Sequence, residues 1–380
     1  MRIGILTQPL YINYGGILQC YALQKKLQQL GHETVILQRE FQRSYTIIGG
    51  VKHYVRQFAK LILGKQPMWH YYVSQDKRDY IAKHTTLFIN QYIKTLSKKC
   101  YSTEELIAEF NSHNLDAVIV GSDQVWRPDY SPCQPNYFLD FLSSNNQVKK
   151  LSYAASFGTD SWLFTQEDTK YYSDLIQLFD AISVREFSAV NLCKDNFHVE
   201  AVQVLDPTML LDKDDYINLV KNTHNRGELF CYMLDMTKYK MDIVKEISKC
   251  SGFKIFENMP LAKPTIDNLY NEIERCVVPP VEDWISAFSE AEMIVTDSFH
   301  GCVFSIIFNK PFWAIGNTER GLARFNSLLN QFGLQDRLIS PLELENIDVN
   351  KPINWEIVNE KRENLKDEAL SFINKVLNTL

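Results

Sequence analysis

Short apolar runs that end in polar or turn-forming residues recur along the first half of this 380-residue chain. Residues 2–7, 116–120 and Ala181–Val184 are each brief and apolar, so we expect them to be buried strands. Helical periodicity follows the first of these runs over residues 17–30. Strands that alternate with helices and stop at polar residues are typical of a parallel sheet whose loops bind ligands at one edge. The pattern therefore predicts an α/β fold.

The second half of the chain restarts the same alternation. The predicted strands lie at 228–234, 253–256, 292–295 and 311–315, and the predicted helices lie at 241–250, 284–290 and 322–332. The polar segment 221–227 is the predicted linker. We therefore expect two α/β domains. The first spans 1–222 with a helical insertion near 41–110, and the second spans 223–380 with a closing helix over 367–380.

The composition and the net charge favour a soluble globular protein over a membrane-spanning, secreted or nucleic-acid-binding one. Hydrophobic residues make up 45% of the chain and charged residues 23%, as in soluble globular proteins. A net charge of −6 disfavours nucleic acid as a partner. No apolar run is long enough to span a bilayer, and the start of the chain does not resemble a secretion signal, so we expect a cytoplasmic location. The eight cysteines form no Cys-x-x-Cys pair, which predicts reduced thiols and no metal site.

The segment 41–84 does not fit the alternation of strands and helices. Val51, Val55, Phe58 and Ile62 fall on one helical face, beside lysines and arginines. One interpretation is a basic amphipathic helix that approaches a membrane surface or a lipid-linked acceptor. The other, which we prefer from the sequence, is a helical insertion that packs on the sheet and leaves its charges in water.

The motif Thr296-Asp297-Ser298-Phe299-His300-Gly301 lies between the predicted strand 292–295 and an apolar run at 303–308 that is predicted to be a helix. It therefore falls at the carboxyl end of a strand and the amino end of a helix, where backbone N–H groups favour anions. His300 there can bind phosphate or carry a proton, although a histidine satisfied by a backbone carbonyl is the alternative. Cys302 is expected to be a small buried hydrophobe rather than a nucleophile.

Polar clusters also follow two strands of the first half. Asn13-Tyr14-Gly15-Gly16 opens the first helix, either as a tight turn and cap or as a substrate loop that lets the backbone approach a ligand. It is not the dinucleotide fingerprint, so a nicotinamide enzyme is disfavoured. The second cluster is Gly121-Ser122-Asp123-Gln124-Val125-Trp126-Arg127. In this cluster Asp123 is a candidate base for a hydroxyl, and Trp126 is a candidate ring for stacking on a sugar. The alternative is that Asp123 caps a turn and that Trp126 lies in the core.

Four further residues at strand or loop ends are candidates. The rigid guanidinium of Arg185 can bind a phosphate or a carboxylate with two parallel hydrogen bonds. The alternative is that Arg185 forms an ion pair with Glu186. Asp206, before Pro207, is expected to cap a turn. Arg320 and Arg324 are four residues apart, so they either point at one cleft or lie on a solvated helix face.

Together these motifs resemble the polysaccharide pyruvyl transferase family over roughly residues 1–335, through the clusters at Asn13–Gly16, Gly121–Asp123, Ser183–Glu186, Leu205–Thr208 and Ser298–Gly301. The resemblance implies two Rossmann-like domains facing across a cleft, as in the glycosyltransferase B fold. It implies transfer of pyruvate from phosphoenolpyruvate, as co-substrate, to two hydroxyls of a sugar in a cell-surface polysaccharide or its precursor. The product is a ketal, and the scheme needs no metal or redox cofactor.

The resemblance also assigns roles to the site residues. Arg185 and His300 would bind phosphoenolpyruvate, Asp123 would be the base for the sugar hydroxyl, and His300 would be either the acid or a phosphate ligand. The expected substrate-binding residues are Arg185, Asn13, Gly15, Gly16, Ser122, Trp126, Ser298, Arg320 and Arg324. A lipid-linked acceptor would place the protein at the inner face of the membrane, and the sequence leaves the oligomeric state open.

One position departs from the family pattern. Many relatives carry an arginine two positions before the motif histidine, where this chain has Ser298. Arg320, Arg324 or Lys310 would have to supply that cation; otherwise the donor differs or activity is lost. Two other functions therefore remain as alternatives to pyruvyl transfer. One is a nucleotide-sugar glycosyltransferase with a nucleotide pocket near 279–284, and the other is a non-catalytic binding protein.

Overall fold

The computed structural model describes residues 1–42, 47–64, 67, 69–316, 322–339 and 348–377. Two separate parallel sheets organise this part of the chain, one in each half. None of the described helices is both long enough and apolar enough to cross a membrane.

The first sheet contains six parallel strands in the order β2-β1-β3-β4-β5-β6. The strands are β1 (Arg2–Leu6), β2 (Glu33–Ile36), β3 (Ala117–Val120), β4 (Lys149–Ala155), β5 (Ala181–Val184) and β6 (Val202–Gln203). Strand β3 is buried along its whole length, as its continuous apolar run predicts. Strand β4 was not predicted, although its sequence ends in Ser156-Phe157-Gly158 and so carries the same strand-end signal.

The helices of the first half connect these strands and form the segment between β2 and β3. They are α1 (Tyr14–Gln29), α2 (Ile47–Ile62), α3 (Gln75–Ile81), α4 (Lys83–Tyr92), α5 (Thr103–Ser112), α6 (Gln166–Ile176), α7 (Phe187–Leu192) and α8 (Lys213–Ile217). Helix α1 begins three residues earlier than predicted, because Asn13 caps it by accepting a hydrogen bond from the Gly16 N–H.

The second sheet contains five parallel strands in the order β11-β10-β9-β7-β8. The strands are β7 (Leu229–Tyr232), β8 (Ile255–Glu257), β9 (Met293–Thr296), β10 (Phe312–Ile315) and β11 (Leu338–Ile339). The helices are α9 (Lys238–Ser251), α10 (Ile266–Asn271), α11 (Val281–Glu290), α12 (Phe299–Ile307), α13 (Ala323–Phe332) and α14 (Trp355–Leu377).

The two parallel sheets confirm the predicted α/β fold, with one Rossmann-like sheet in each half of the chain. The halves meet where the Tyr14 ring of α1 stacks on the Trp284 ring of α11, with centroids 5.4 Å apart. The Tyr14 hydroxyl also donates to the Pro279 carbonyl. The boundary between residues 222 and 223 stays a prediction, and α14 returns to the first half, where Lys366 pairs with Asp212 at 2.8 Å.

The preferred interpretation of the 41–84 segment is wrong in one respect. Helix α2 forms, but its apolar side chains do not pack on the sheet: Val55 is 65% exposed and Ile62 is 85% exposed. Gln57 is the buried residue of this helix, so a polar edge faces the protein and the apolar face points away from it.

Candidate active site

The candidate site lies at the carboxyl ends of β1, β3, β5 and β6 of the first sheet and of β9 of the second sheet. Because the carboxyl ends of parallel strands meet at one edge of each sheet, the loops that follow them converge. The motif histidine, on the second sheet, thereby comes into contact with the first domain. The resulting network is centred on a carboxylate that the sequence indicated only as a turn cap.

Asp206 is the centre of the network and is 2% exposed. Its Oδ2 accepts a hydrogen bond from Arg185 Nη1 at 3.0 Å and lies 3.5 Å from His300 Nε2. Its Oδ1 accepts from the N–H and the hydroxyl of Thr208 at 3.1 and 2.7 Å, so the predicted capping role is also present. Burial raises the pKa of Asp206, but the His300 imidazole and the Arg185 guanidinium outweigh that effect and hold it well below its usual range.

Arg185 is 3% exposed and is surrounded by carboxylates. Besides Asp206, its Nε lies 3.3 Å from Glu186 Oε1 and its Nη2 lies 3.6 Å from Asp123 Oδ1. Burial by itself lowers the pKa of Arg185, whereas Glu186, Asp206 and Asp123 raise it above its ordinary value. The guanidinium also lies 4.4 Å from the centre of the Phe299 ring, a cation–π contact with the second domain. Arg185 is therefore an internal cross-link between strand ends.

His300 lies in the first turn of α12, close to the start of α1. A β-carbon built on Gly15 would lie only 2.1 Å from His300 Nδ1, so only glycine leaves room for the ring. The imidazole therefore lies between the Gly15 backbone and Asp206, and it is 8% exposed. Gly15 is thus needed for a close approach between the two domains.

The loop after β3 supports the same network. Gly121 has φ 116°, and a β-carbon there would lie 2.3 Å from the Tyr153 carbonyl oxygen, so the turn requires glycine. The Ser122 hydroxyl is buried, donates to the Ala154 carbonyl at 3.0 Å and lies 3.4 Å from Asp206 Oδ2. Asp123 has φ 75° and is 7% exposed. These residues fix the Asp123 carboxylate at the edge of a cavity.

A cavity of about 610 Å³ opens beside Asp123 and Asn13. Four cationic side chains line it: Arg78, Lys99, Arg127 and Arg324. Three carboxylates, Glu40, Asp79 and Asp123, line it as well. The buried Nε of Arg78 makes no hydrogen bond within the described part of the chain. The cavity therefore offers several cationic groups to an anion, together with one carboxylate that belongs to the Asp206 network.

Helix α13 brings Arg324 to this cavity from the second domain. Ser327, one turn later on the helix, accepts hydrogen bonds from the Phe187 N–H at 3.0 Å and from Gln203 Nε2 at 2.8 Å. These bonds hold α13 against the strand ends of the first domain. Burial, followed by repulsion from Arg185, lowers the pKa of Arg324 to about 10. The predicted cation in the cleft is therefore present at position 324, whereas Arg320 lies outside the described residues.

A second cavity of about 640 Å³ lies at the carboxyl edge of the second sheet and shares Asn13 with the first. Four methionines contribute to its apolar wall: Met233, Met236, Met241 and Met259. Asp235, Glu257 and Lys263 are its charged residues.

Asp297 of the histidine motif organises the loop beside this second cavity. Its carboxylate accepts from the Leu234 N–H at 2.6 Å and the Asp235 N–H at 3.1 Å, and it pairs with Lys240 Nζ at 2.5 Å. No local pattern indicates this role for Asp297, because Leu234, Asp235 and Lys240 lie more than 50 positions away in the sequence. The sequence feature that could have drawn attention to Asp297 is its place within the histidine motif, three residues before His300.

Several predicted site residues lie elsewhere than the sequence indicated. Trp126 cannot stack on a sugar, because its side chain is completely buried and its Nε1 donates to the Tyr137 carbonyl. Ser122 holds Asp206 rather than facing a cavity. Lys310 precedes β10, at the sheet end opposite the site, and its neighbours are Glu292 and Lys213. The prediction that Lys310 supplies the missing cation is therefore wrong.

The structure also places the remaining residues whose role the sequence patterns predicted: Ser298, Cys302 and the segment 279–284. Ser298 is 5% exposed and caps α12 from an extended conformation, without a side-chain hydrogen bond to that helix. Cys302 is fully buried, and burial raises the pKa of its thiol above the ordinary value, as expected for a core residue. Trp284, within the segment predicted to form a nucleotide pocket, is completely buried. The cavity of the second domain lies beside that segment and not within it.

Comparison with known families agrees with this architecture. The profile of the polysaccharide pyruvyl transferase family matches residues 13–319, a range that includes Asn13, Asp123, Arg185, Asp206 and His300. The chain belongs to the polysaccharide pyruvyl transferase family. This family assignment makes it a transferase of polysaccharide biosynthesis, as the sequence motifs predicted.

Other comparisons add only distant similarity. No protein of curated function matches the chain. Acinetobacter baumannii MurG is 10% identical, with 100% of this chain and 99% of that chain covered and a TM-score of 0.45. The UDP-GlcNAc 2-epimerase of Methanocaldococcus jannaschii is 12% identical, with 98% and 100% covered and a TM-score of 0.47. That of Neisseria meningitidis, bound to UDP-GlcNAc, is 10% identical, with 97% and 99% covered and a TM-score of 0.46.

Within this pyruvyl transferase family member, Arg78 and Lys99 are cationic cavity residues that the sequence patterns did not indicate. Both lie in the stretch between β2 and β3, which the alternation of strands and helices did not explain. No local pattern marks them, because their approach to Asp123 depends on how that stretch folds back over the edge of the sheet.

Proposed function

We propose that the protein transfers the pyruvyl group of phosphoenolpyruvate to two hydroxyls of a sugar, forming a ketal. The observation that carries this proposal is the 610 Å³ cavity, which is lined by Asp123 and by four cationic side chains. Phosphoenolpyruvate carries a phosphate and a carboxylate on a three-carbon frame, so its site needs several fixed cations close together. The acceptor is a polysaccharide or one of its precursor sugars, as the family assignment indicates.

We assign the donor anion to Arg324, Arg127, Arg78 and Lys99. Arg185 is the weaker candidate, because three carboxylates already surround it. Its role in the proposal is to hold Asp123 and Asp206 in place. Arg324 then supplies the cation that the family pattern places two positions before the motif histidine and that Ser298 cannot supply.

Asp123 is the proposed base. It removes the proton of the first sugar hydroxyl, whose oxygen attacks the substituted carbon of the enol phosphate while the methylene carbon receives a proton and becomes a methyl group. The phosphate then leaves with the electrons of its C–O bond. The second hydroxyl adds to the same carbon and loses its proton, so one ketal and one inorganic phosphate form from one donor and one acceptor.

His300 is the proposed acid for the methylene carbon. Asp206 lies 3.5 Å from Nε2 and the Gly15 backbone packs against Nδ1, so the two contacts together fix the orientation of the ring. Asn13, two residues before Gly15, lines the donor cavity. The proposal needs no metal or redox cofactor, because every step is a proton transfer, the addition of a hydroxyl to carbon or the departure of phosphate, and no step changes the overall oxidation level.

The test is to incubate the protein with phosphoenolpyruvate and either nucleotide-linked or lipid-linked saccharides. We expect inorganic phosphate release that depends on the acceptor, and a product heavier than the acceptor by pyruvate less one water. Asp123→Asn serves as the inactive control. Absence of phosphoenolpyruvate binding in calorimetry, together with no phosphate release on any acceptor, would overturn the proposal.

The charges of the second cavity disfavour the glycosyltransferase alternative. A nucleotide-sugar brings a diphosphate, whereas the described residues that line this cavity include one lysine, Lys263, beside two carboxylates, Asp235 and Glu257. Tight binding of uridine or guanosine diphosphate, without any binding of phosphoenolpyruvate, would favour that alternative instead.

A further inference from the structure

Helix α2 exposes a continuous apolar face. Ile47 is 86% exposed, Val55 65%, Phe58 57% and Ile62 85%. At 100° per residue these side chains fall on one side of the helix, together with Val51, Tyr54 and Leu61, which are also exposed. A monomeric protein rarely leaves so many large apolar side chains together in water, so this face marks an interaction surface.

The charge around this face is of one sign. Lys52, Arg56 and Lys60 fall on the opposite side of the helix from the apolar residues. The sequence from 41 to 74 contains five lysines or arginines and neither aspartate nor glutamate, although the chain as a whole carries −6. A basic helix with one apolar face is the pattern that binds in the interfacial region of an anionic membrane.

Aromatic residues that follow α2 in the sequence contact the helix, and some of them are exposed beside its apolar face. The Phe58 ring lies 5.2 Å from the Trp69 ring, and the His53 ring lies 5.5 Å from the Tyr71 ring. Trp69 is 39% exposed and Tyr72 is 49% exposed. Tryptophan and tyrosine favour the boundary between headgroups and acyl chains, because they carry an apolar ring and a polar group.

The same segment starts and ends at the donor cavity. Glu40 and Phe41 line that cavity on the N-terminal side of α2, and Gln75 and Arg78 line it on the C-terminal side of α2. A surface that holds α2 would therefore lie next to the rim of the proposed catalytic cleft.

We propose that α2 docks on an anionic membrane, with its apolar face in the headgroup region and its lysines and arginine against the lipid phosphates. Docking would bring the cleft to acceptor sugars carried on a membrane lipid; this last step rests on the proposed function. The docking itself does not depend on the reaction.

A second copy of the chain is a poorer occupant of this face. Two α2 helices packed against each other would bring Lys52, Arg56 and Lys60 of both copies together, and the segment contains no carboxylate to neutralise them. Negatively charged lipid headgroups neutralise the same side chains.

The test is flotation of the full-length protein with vesicles of phosphatidylcholine alone or mixed with phosphatidylglycerol. We expect binding to the mixed vesicles only, and loss of binding at high salt, because the Debye length falls to about 3 Å at 1 M. The double variant Val55→Glu/Ile62→Glu should bind at least about tenfold more weakly. The double variant Leu87→Glu/Ile357→Glu changes two exposed helical residues elsewhere by the same charge and should bind as the wild type does.

Equal binding of the protein to both kinds of vesicle would overturn the docking proposal, and so would an equal loss of vesicle binding in both double variants. The proposal would also fail if the wild-type protein did not bind vesicles but formed a dimer that Val55→Glu/Ile62→Glu converts to a monomer. Phosphoenolpyruvate affinity, measured by calorimetry without vesicles, separates this proposal from the proposed function. If phosphoenolpyruvate binds but vesicles do not, docking fails alone; if vesicles bind but phosphoenolpyruvate does not, the proposed donor fails alone.

Discussion

Gly15 of the first domain and His300 of the second approach so closely that no side chain fits between them. A β-carbon on Gly15 would lie 2.1 Å from His300 Nδ1. On its other side the imidazole meets Asp206 of the first domain at 3.5 Å. The motif histidine of one sheet is thus held between two strand-end loops of the other, which makes its position sensitive to the distance between the domains.

Gly15→Ala should therefore displace His300 and lower the rate of phosphate release by at least about tenfold, with a loss of about 1–3 kcal/mol of stability from overpacking. Steady-state kinetics and thermal unfolding measure both effects. Gly16→Ala is the matched control, because a β-carbon there would meet only the Asn13 side chain, at 3.3 Å. Its stability should stay within about 1 kcal/mol of wild type, since alanine favours a helix. Equal effects of the two variants would contradict the steric argument.

Asp206→Asn should destabilise the protein by about 3 kcal/mol near pH 7, because it removes the carboxylate closest to the buried Arg185 guanidinium, at 3.0 Å. The folded pKa of Asp206 is lowered, so its stabilising charge is fully present above the unfolded pKa and is lost as pH falls below that value. The difference between wild type and variant should therefore be constant from about pH 5 to 8 and shrink below about pH 4.

Denaturant unfolding across this pH range provides the measurement. Asp174→Asn removes an exposed carboxylate and should change stability by less than about 0.5 kcal/mol. A difference for Asp206→Asn that grows on acidification would show that the sign is wrong.

Asp123→Asn should lower kcat by about 10²- to 10⁴-fold and leave the binding of phosphoenolpyruvate nearly unchanged, as expected for loss of a general base. Asparagine suits this position because Asp123 has φ 75°, a conformation that asparagine tolerates. Asp129→Asn is a matched control, since Asp129 is exposed and has φ 63°. Retention of full kcat in Asp123→Asn would remove Asp123 from the mechanism.

Arg324→Gln should raise the dissociation constant of phosphoenolpyruvate about 10- to 100-fold, the usual effect of losing a hydrogen bond to a charged group. Calorimetry at fixed salt measures the change. Arg275→Gln removes an arginine whose side chain is 55% exposed in a surface pair with Glu272, and it should have no effect. If Arg324→Gln binds the donor as tightly as wild type, position 324 does not replace the cation absent at Ser298.

Alkylation separates the core thiols from the surface thiol. Burial raises the pKa of Cys302, and Cys250 is exposed. Iodoacetamide should therefore modify Cys250 in the folded protein and reach Cys302 only after unfolding, with phosphate release unaffected by the first modification. Mass spectrometry of peptides before and after denaturation measures both sites. Rapid inactivation linked to Cys302 would support a thiol nucleophile instead.

Part of the site could be predicted because its signals are local. Asn13, Asp123, Arg185 and His300 each follow an apolar run, and parallel strands place the residues that follow them at one edge. Local patterns did not distinguish Asp123, which lines the cavity, from Trp126, which lies in the core three residues later. Both follow the same strand, and only the packing of Phe138 and Phe157 around the indole separates them.

The sequence by itself determined the two alternating α/β halves, the strand-end loops that carry polar residues, and the family to which the chain belongs. The tertiary structure decided which of those residues meet. Asp206 became the centre of the network because β6 and β9 belong to different sheets whose loops converge on it, and Arg324 reached the cavity because Ser327 holds α13 against the first domain. It also decided that the apolar face of α2 points outward. Periodicity shows that a helix has an apolar face, but what lies against that face depends on contacts distant in sequence.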